Sequence, residues 1–385
     1  MKELLSGNHA IAEAVRLSKV QFIAAYPITP QTPIYERISQ MVSDGTMDAH
    51  MMRAESEHSA MAACIAASMT GVRVFTATSS QGLALMHEML HFASGNRVPI
   101  VMACVNRVVA APWAFGSDQT DTLSQRDTGW MQLYCEDGQE ALDTVIQAYW
   151  ICEKVRIPAM VIIDGFYTSH FIEPVEVPTE DEVDRYLPLP SLPNRFQFSD
   201  PAFLTNVVDA YQYTEFKRRL FEDLRAAKEV VREADRRFEE IFERSYGMVE
   251  PFEMEGAECA IVTSGSITSC ARIAVRRLRE KGFGVGLLKV KLFRPFPWEE
   301  LREHLKDIRR VVVIDRNLSA GKGGIFWDEI RSALYSMEAR PLVFGYIGGL
   351  CGEDVPPEMI ERCIIRCMER KKMEDLPEWM HGMST

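Results

Sequence analysis

Three side chains capable of chemistry stand where apolar runs give way to polar ones. The first run, Val20 to Tyr26, passes directly into Pro27, Ile28, Thr29, Pro30, Gln31, Thr32 and Pro33. Each proline fixes its own φ and drives the residue before it out of the helical region, so this loop is stiff. It serves either as a structural turn or as a mount that holds Thr29 against a ligand. The second candidate is Glu57, in the string Arg53, Ala54, Glu55, Ser56, Glu57, His58, Ser59, Ala60 that opens an Ala-rich segment. A carboxylate at a helix N-terminus is favoured by the backbone dipole, which accounts for one of the two glutamates without requiring both. Ser59, Ala60, Ala62, Ala63 and Ala66 are small enough to let a flat ligand approach, and a nearly dry pocket would favour the uncharged form of the carboxyl. The third is Arg107, which follows the run Pro99 to Val105 and Asn106. A guanidinium there can grip a ligand carboxylate bidentately, or it can pair with Asp118 or Asp121 in the long polar stretch that follows. The length of that stretch suggests a functional loop. A fourth string, Thr76, Ala77, Thr78, Ser79, Ser80, Gln81, Gly82, brings small hydroxyl residues and a glycine just before a helix; such a loop can offer backbone donors to a polar ligand, and helix capping by Ser or Thr would produce the same letters.

These residues need a scaffold, and the apolar pattern supplies one. Val20–Tyr26, Arg73–Thr78, Pro99–Val105 and Pro158–Asp164 are continuous rather than alternating in hydrophobicity, the mark of strands buried on both faces of a parallel sheet. Helical segments at 57–69, 82–94 and 138–153 are long enough to cross between parallel strands. In such sheets ligands collect at the carboxyl ends of the strands, where the candidate residues lie. A Pro-rich, aperiodic connection is expected over about 171–200, and a long amphipathic helix over 214–246 that bridges domains with a solvated face. A second α/β pattern opens at Cys259, with a helix over 267–281 and strands at Val285–Val290, Arg310–Asp315 and Leu342–Tyr346. The expected organisation is a domain at 1–245, a smaller one at 256–372 and a peripheral tail at 373–385.

Composition bounds the function. At 385 residues and 43.7 kDa the chain exceeds one hydrophobic core. A net charge of -12 with dispersed Lys and Arg argues against a nucleic-acid binder. No apolar run approaches the roughly 20 residues of a membrane helix, and the start lacks a signal-peptide pattern, so the reading places the chain in the cytoplasm. The nine cysteines are scattered, mostly in apolar stretches, and read as reduced thiols. Without a CxxC or CxxCxxC run, metal clusters are expected on other chains. Gly321, Lys322, Gly323 and Gly324 hint at a phosphate loop but lack the Walker spacing.

Taken together, the strings 26–30 (Tyr-Pro-Ile-Thr-Pro), 55–60 (Glu-Ser-Glu-His-Ser-Ala), 77–83 (Ala-Thr-Ser-Ser-Gln-Gly-Leu) and 125–130 (Gln-Arg-Asp-Thr-Gly-Trp) resemble the α subunits of the 2-oxoacid:ferredoxin oxidoreductases. Asp164, Gly165 and Phe166 with Ser169 and His170, and the string Phe293 to Pro297, extend the resemblance over nearly the whole chain.

The resemblance implies a thiamine-diphosphate-binding, pyrimidine-type parallel-sheet domain joined to a smaller transketolase C-terminal-like α/β domain. It implies that Glu57 meets the pyrimidine nitrogen of thiamine diphosphate. Thr29 and Arg107 would hold the 2-oxoacid substrate, and Tyr26, Pro27, Ile28, Ser80 and Gln81 would contact the cofactor. The diphosphate and Mg²⁺ would sit on a β subunit, since no Gly-Asp-Gly with a following Asn occurs here. A γ subunit and a ferredoxin-like δ subunit with 4Fe-4S clusters would complete a dimer of heteromers, passing electrons to ferredoxin and the acyl group to coenzyme A. Pyruvate is the first-choice substrate, ahead of branched-chain or aromatic 2-oxoacids. The alternative is a non-catalytic scaffold or regulatory subunit of such a complex. The segment around Trp113 and Phe115 departs from any assignable substrate class; it lines a side-chain pocket or packs against a partner.

Overall fold

A computed structural model describes residues 2–189, 192–194, 196 and 207–383. The first sheet has seven strands, in the spatial order Leu292–Arg294, Met131–Tyr134, Ala159–Asp164, Ile100–Asn106, Val74–Thr78, Phe22–Ala25, His50–Arg53. All neighbours in it are parallel except the outermost pair, in which Leu292–Arg294 runs antiparallel to Met131–Tyr134. Every residue of Val74–Thr78, Ile100–Asn106 and Ala159–Asp164 is buried, as their unbroken apolar runs require.

The helices Gly7–Leu17 and Gly138–Val155 cover one face of this sheet, together with the C-terminal half of the long helix Ala210–Phe242. That half buries Ala227, Val231, Ala234, Phe238 and Phe242, while Tyr211, Tyr213, Phe216 and Phe221 in the first half are exposed. Lys228 and Arg232 on the same helix pair with Glu299 and Glu300 of the second α/β unit, so the helix does bridge the two units. It runs from Ala210 to Phe242 rather than over 214–246, because Asp209 caps its N-terminus through the Gln212 amide and Glu243 ends it in the left-handed region.

The second sheet has the order Glu378–Trp379, Leu342–Ile347, Arg310–Asp315, Cys259–Thr263, Val285–Val290, Val249–Phe252. Its core includes Cys363 and Cys367, both buried on one face of the helix Pro357–Glu369. Another apolar cluster is shared between the units: Tyr134 and Trp130 of the first pack with Phe293, Phe326 and Trp327 of the second. Leu292–Arg294 therefore leaves its own unit to extend the first sheet. The tail likewise contributes a strand, Glu378–Trp379, at the edge of the second sheet.

Several local features differ from the sequence reading. No strand was expected at His50–Arg53 or Met131–Tyr134; each has four residues, and the former is an edge strand with three of its four residues exposed. The helix expected over 82–94 is two helices, Ser80–Leu85 and His87–Gly95, which meet at Met86. The Pro-rich connection lies partly outside the described residues. Within them, Ile172–Glu176 pairs antiparallel with Lys2–Ser6, and Glu180–Tyr186 is a helix opened by a Thr179/Glu182 capping box.

Candidate active site

The three candidate residues lie together at the carboxyl end of the first sheet, past strands of which Phe22–Ala25 and Ile100–Asn106 flank Val74–Thr78. Thr29 sits in the exposed loop after Phe22–Ala25, Arg107 immediately follows Ile100–Asn106, and Glu57 opens the helix Glu57–Met69 that packs beside the sheet. Arg107 as a whole is only 4% exposed. Its Nη1 donates to the Thr29 carbonyl at 2.6 Å and its Nη2 to Gln81 Oε1 at 2.5 Å. The rings of Trp113 and Phe115 lie over it, with centroids 5.8 and 5.7 Å from Cζ. Nε is buried and meets no acceptor among the described residues. Burial lowers the Arg107 pKa, and the carboxylates of Asp121 and Glu57 oppose that shift.

The sequence allowed an ion pair between Arg107 and Asp118 or Asp121, and no such pair forms among the described residues. Asp121 instead accepts the backbone N–H of Arg107, at 3.1 Å. Its carboxyl is fully enclosed, and burial raises its pKa to about 7. Asp118 accepts the Thr120 amide at 2.8 Å.

Glu57 follows Ser56, whose hydroxyl caps the helix by accepting the Ser59 amide. The Glu57 side chain is 5% exposed, and among the described residues no donor reaches its carboxylate. Glu55, by contrast, is exposed and accepts the Ser59 hydroxyl at 2.5 Å, so only one of the two glutamates faces the interior. Space beside Glu57 comes from Gly82: a Cβ at that position would lie 2.3 Å from Glu57 Oε1 and 2.6 Å from Thr78 Oγ1. Thr78 Oγ1 and Ser79 Oγ are themselves buried without partners among the described residues. A buried carboxylate, the unpaired Thr78 hydroxyl beside it and a glycine that leaves room for both form a cradle suited to a planar heteroaromatic with donor and acceptor nitrogens. This donor set fits an aminopyrimidine.

In the 77–83 string Ser79 makes no capping bond, and the Ser80 amide donates to Asp121 Oδ2 at 2.9 Å. Ser80 has φ +50, an uncommon conformation for a residue with a Cβ, so the turn depends on that bond. The Ser80 hydroxyl donates to the Val108 carbonyl at 2.5 Å and lies close to Gln81 Oε1. Tyr26, Pro27 and Ile28 form the rim: Tyr26 is exposed, and its carbonyl accepts from Gln31 Nε2 at 3.0 Å.

Asp164, in register with Asn106 on the neighbouring strand, joins the two units. It accepts Ser117 Oγ, Gln119 Nε2, and the amide and hydroxyl of Ser266, and pairs with Arg316 at 3.2 Å. The glycine-rich string of the second unit is occupied by its own protein. Asp315 accepts the Phe326 and Trp327 amides at the start of the helix Ile325–Leu334, a Cβ at Gly324 would meet Asp315 Oδ2, and Lys322 pairs with Asp328. A phosphate there would face a buried carboxylate, which removes the phosphate-loop reading.

With this geometry in place, the chain can be assigned to a class. A family profile described as the thiamine-diphosphate-binding domain of pyruvate flavodoxin/ferredoxin oxidoreductases matches residues 13–236, and one described as core domain II of pyruvate:ferredoxin oxidoreductase matches 257–360. The chain belongs to the 2-oxoacid:ferredoxin oxidoreductase family and corresponds to its α subunits. It is 45% identical to ketoisovalerate oxidoreductase subunit VorA of Pyrococcus abyssi, over 99% of this chain and 98% of that one. To pyruvate synthase subunit PorA of Methanothermobacter thermautotrophicus it is 44% identical, over 94% of each. Among solved structures, 2-oxoglutarate:ferredoxin oxidoreductase from Magnetococcus marinus superposes with a TM-score of 0.74 at 21% identity, covering 96% of this chain and 65% of that one. An inactive split-gene transketolase superposes at 0.58 with 13% identity. The last two establish the fold: a thiamine-type α/β domain with a transketolase-like second domain. Among the described residues no helix is long and apolar enough to cross a membrane.

Proposed function

We propose that this chain supplies the pyrimidine and substrate half of a thiamine site in a multisubunit enzyme that oxidatively decarboxylates pyruvate, with branched-chain and aromatic 2-oxoacids next in preference. The observation that carries this reading is Arg107, a buried cation at a strand end with an unpaired Nε, beside a buried carboxylate that no described donor reaches. The cation suits a substrate carboxylate, and the carboxyl suits a ring nitrogen.

When bound, thiamine diphosphate supplies the carbon nucleophile and electron sink. Glu57 would then hold or move a proton at the pyrimidine nitrogen, with Tyr26, Pro27, Ile28, Ser80 and Gln81 on the cofactor side. Thr29 and Arg107 would fix the 2-oxoacid against it. The diphosphate and Mg²⁺ belong on a β subunit in this reading, and 4Fe-4S clusters on γ and δ subunits carry electrons to ferredoxin. The assembly would be a cytoplasmic dimer of heteromers. The domain limits that go with this reading are 1–245 and 256–372, with the tail 373–385.

The test is the purified native complex, assayed for viologen or ferredoxin reduction with coenzyme A and a panel of 2-oxoacids. Pyruvate is expected to give the highest kcat/KM. A higher value for a branched or aromatic acid would replace pyruvate as the substrate, and silence across the panel with intact clusters would favour a scaffold role.

A further inference from the structure

Asp121 makes an unusual set of contacts for a buried carboxylate. Its Oδ2 accepts the backbone amides of Ser80, at 2.9 Å, and Arg107, at 3.1 Å. Its Oδ1 accepts Asn106 Nδ2 at 2.6 Å and the Thr122 amide at 2.7 Å. All four bonds come from this chain, so the carboxylate is committed as an acceptor and has no freedom to touch a substrate. Ser80 and Arg107 follow two neighbouring strands, Val74–Thr78 and Ile100–Asn106, which are parallel and in register.

We infer that Asp121 is a positioning residue for substrate binding: it locks the ends of these two strands so that Gln81 and the Thr29 carbonyl hold the Arg107 fork in one orientation. Both halves of the lock bear on the same guanidinium. Asp121 fixes the Arg107 backbone directly. It also fixes the left-handed Ser80 turn, which places Gln81 Oε1 at 2.5 Å from Arg107 Nη2. The loop that carries Asp121 also carries Trp113 and Phe115, whose rings cover the same guanidinium. Sequence distance hides this arrangement, since Ser80 and Asp121 are 41 residues apart.

This inference rests on the reading of Arg107 as the substrate grip, and the test separates the two. Asp121→Asn keeps the side-chain volume but turns one acceptor into a donor, which must face two N–H groups. In the assembled complex, Asp121→Asn is expected to raise KM for the 2-oxoacid about tenfold, by misplacing a binding group, with KM for coenzyme A unchanged. A purely structural loss would lower kcat per complex and leave KM alone. In an Arg107→Lys background the same change should alter KM by less than about twofold, because residues that act through one another are not additive.

If Asp121→Asn does not assemble, Asn106→Ser removes one donor from the lock and should raise KM about threefold, an increase also lost in the Arg107→Lys background. An unchanged KM in Asp121→Asn, with KM raised in Arg107→Lys, overturns the lock and leaves the grip standing; with Asn106→Ser as the working variant, the same result has the same meaning. An unchanged KM in Arg107→Lys overturns the grip, and the inference with it.

Discussion

Glu57→Gln in the assembled complex is expected to slow exchange of the thiamine C2 proton by about 10²–10⁴-fold, the usual contribution of a positioned acid–base group. The substitution keeps the size of the side chain and its hydrogen-bonding reach but removes the ability to hold a proton in one state and release it in the other. Glu57 also lies at a helix N-terminus, where a carboxylate contributes roughly 0.3–1 kcal/mol through the backbone dipole. Loss of that small term cannot account for an effect of several kcal/mol on a rate. The two explanations therefore separate by magnitude. A complex that assembles normally and exchanges the proton at the unaltered rate would remove Glu57 from its role and return it to helix stabilisation alone.

The second large effect concerns Arg107. Arg107→Lys is expected to lower kcat/KM for the 2-oxoacid by about 10²–10³-fold, since a charge-assisted hydrogen bond is worth roughly 1.5–3 kcal/mol and more than one is at stake. The guanidinium already spends one N–H on the Thr29 carbonyl and one on Gln81 and still has donors to offer. An ammonium is a point charge on a flexible stem, so it cannot keep both protein contacts and meet a carboxylate bidentately. Nor does it offer a delocalised plane to the rings of Trp113 and Phe115, which are 66% and 51% exposed and stand at the mouth of the site. Steady-state kinetics on the complex decides this. A loss confined to coenzyme A kinetics would place Arg107 on the acyl acceptor instead.

Much of this architecture was legible in the residues. Long apolar runs such as Ile100–Asn106 can only be strands covered on both faces, and the chemistry-bearing strings begin where those runs stop. Thr29, Glu57 and Arg107 were accordingly visible as candidates, and the structure brings them to one end of one sheet. Contacts between distant segments were not legible. Asp121 reads as one acid in a polar loop, and only the fold reveals that it takes the amides of Ser80 and Arg107. Gly82 reads as the last residue of a small-residue string before a helix, whereas its lack of a side chain is what leaves Glu57 its space. Short strands such as Met131–Tyr134 carry too few residues to show a period, and Leu292–Arg294 joins a sheet that its sequence position does not indicate. Exposed rings such as Trp113 show no period either, so their place over Arg107 emerges only in three dimensions.

If, as proposed, this chain holds half of a divided site, it is inert alone. The most direct measurement is viologen reduction by the isolated chain and by the native complex, side by side, with thiamine diphosphate, Mg²⁺, coenzyme A and pyruvate. Turnover by the complex and none by the isolated chain is the expected result. Turnover by the isolated chain would contradict the divided site.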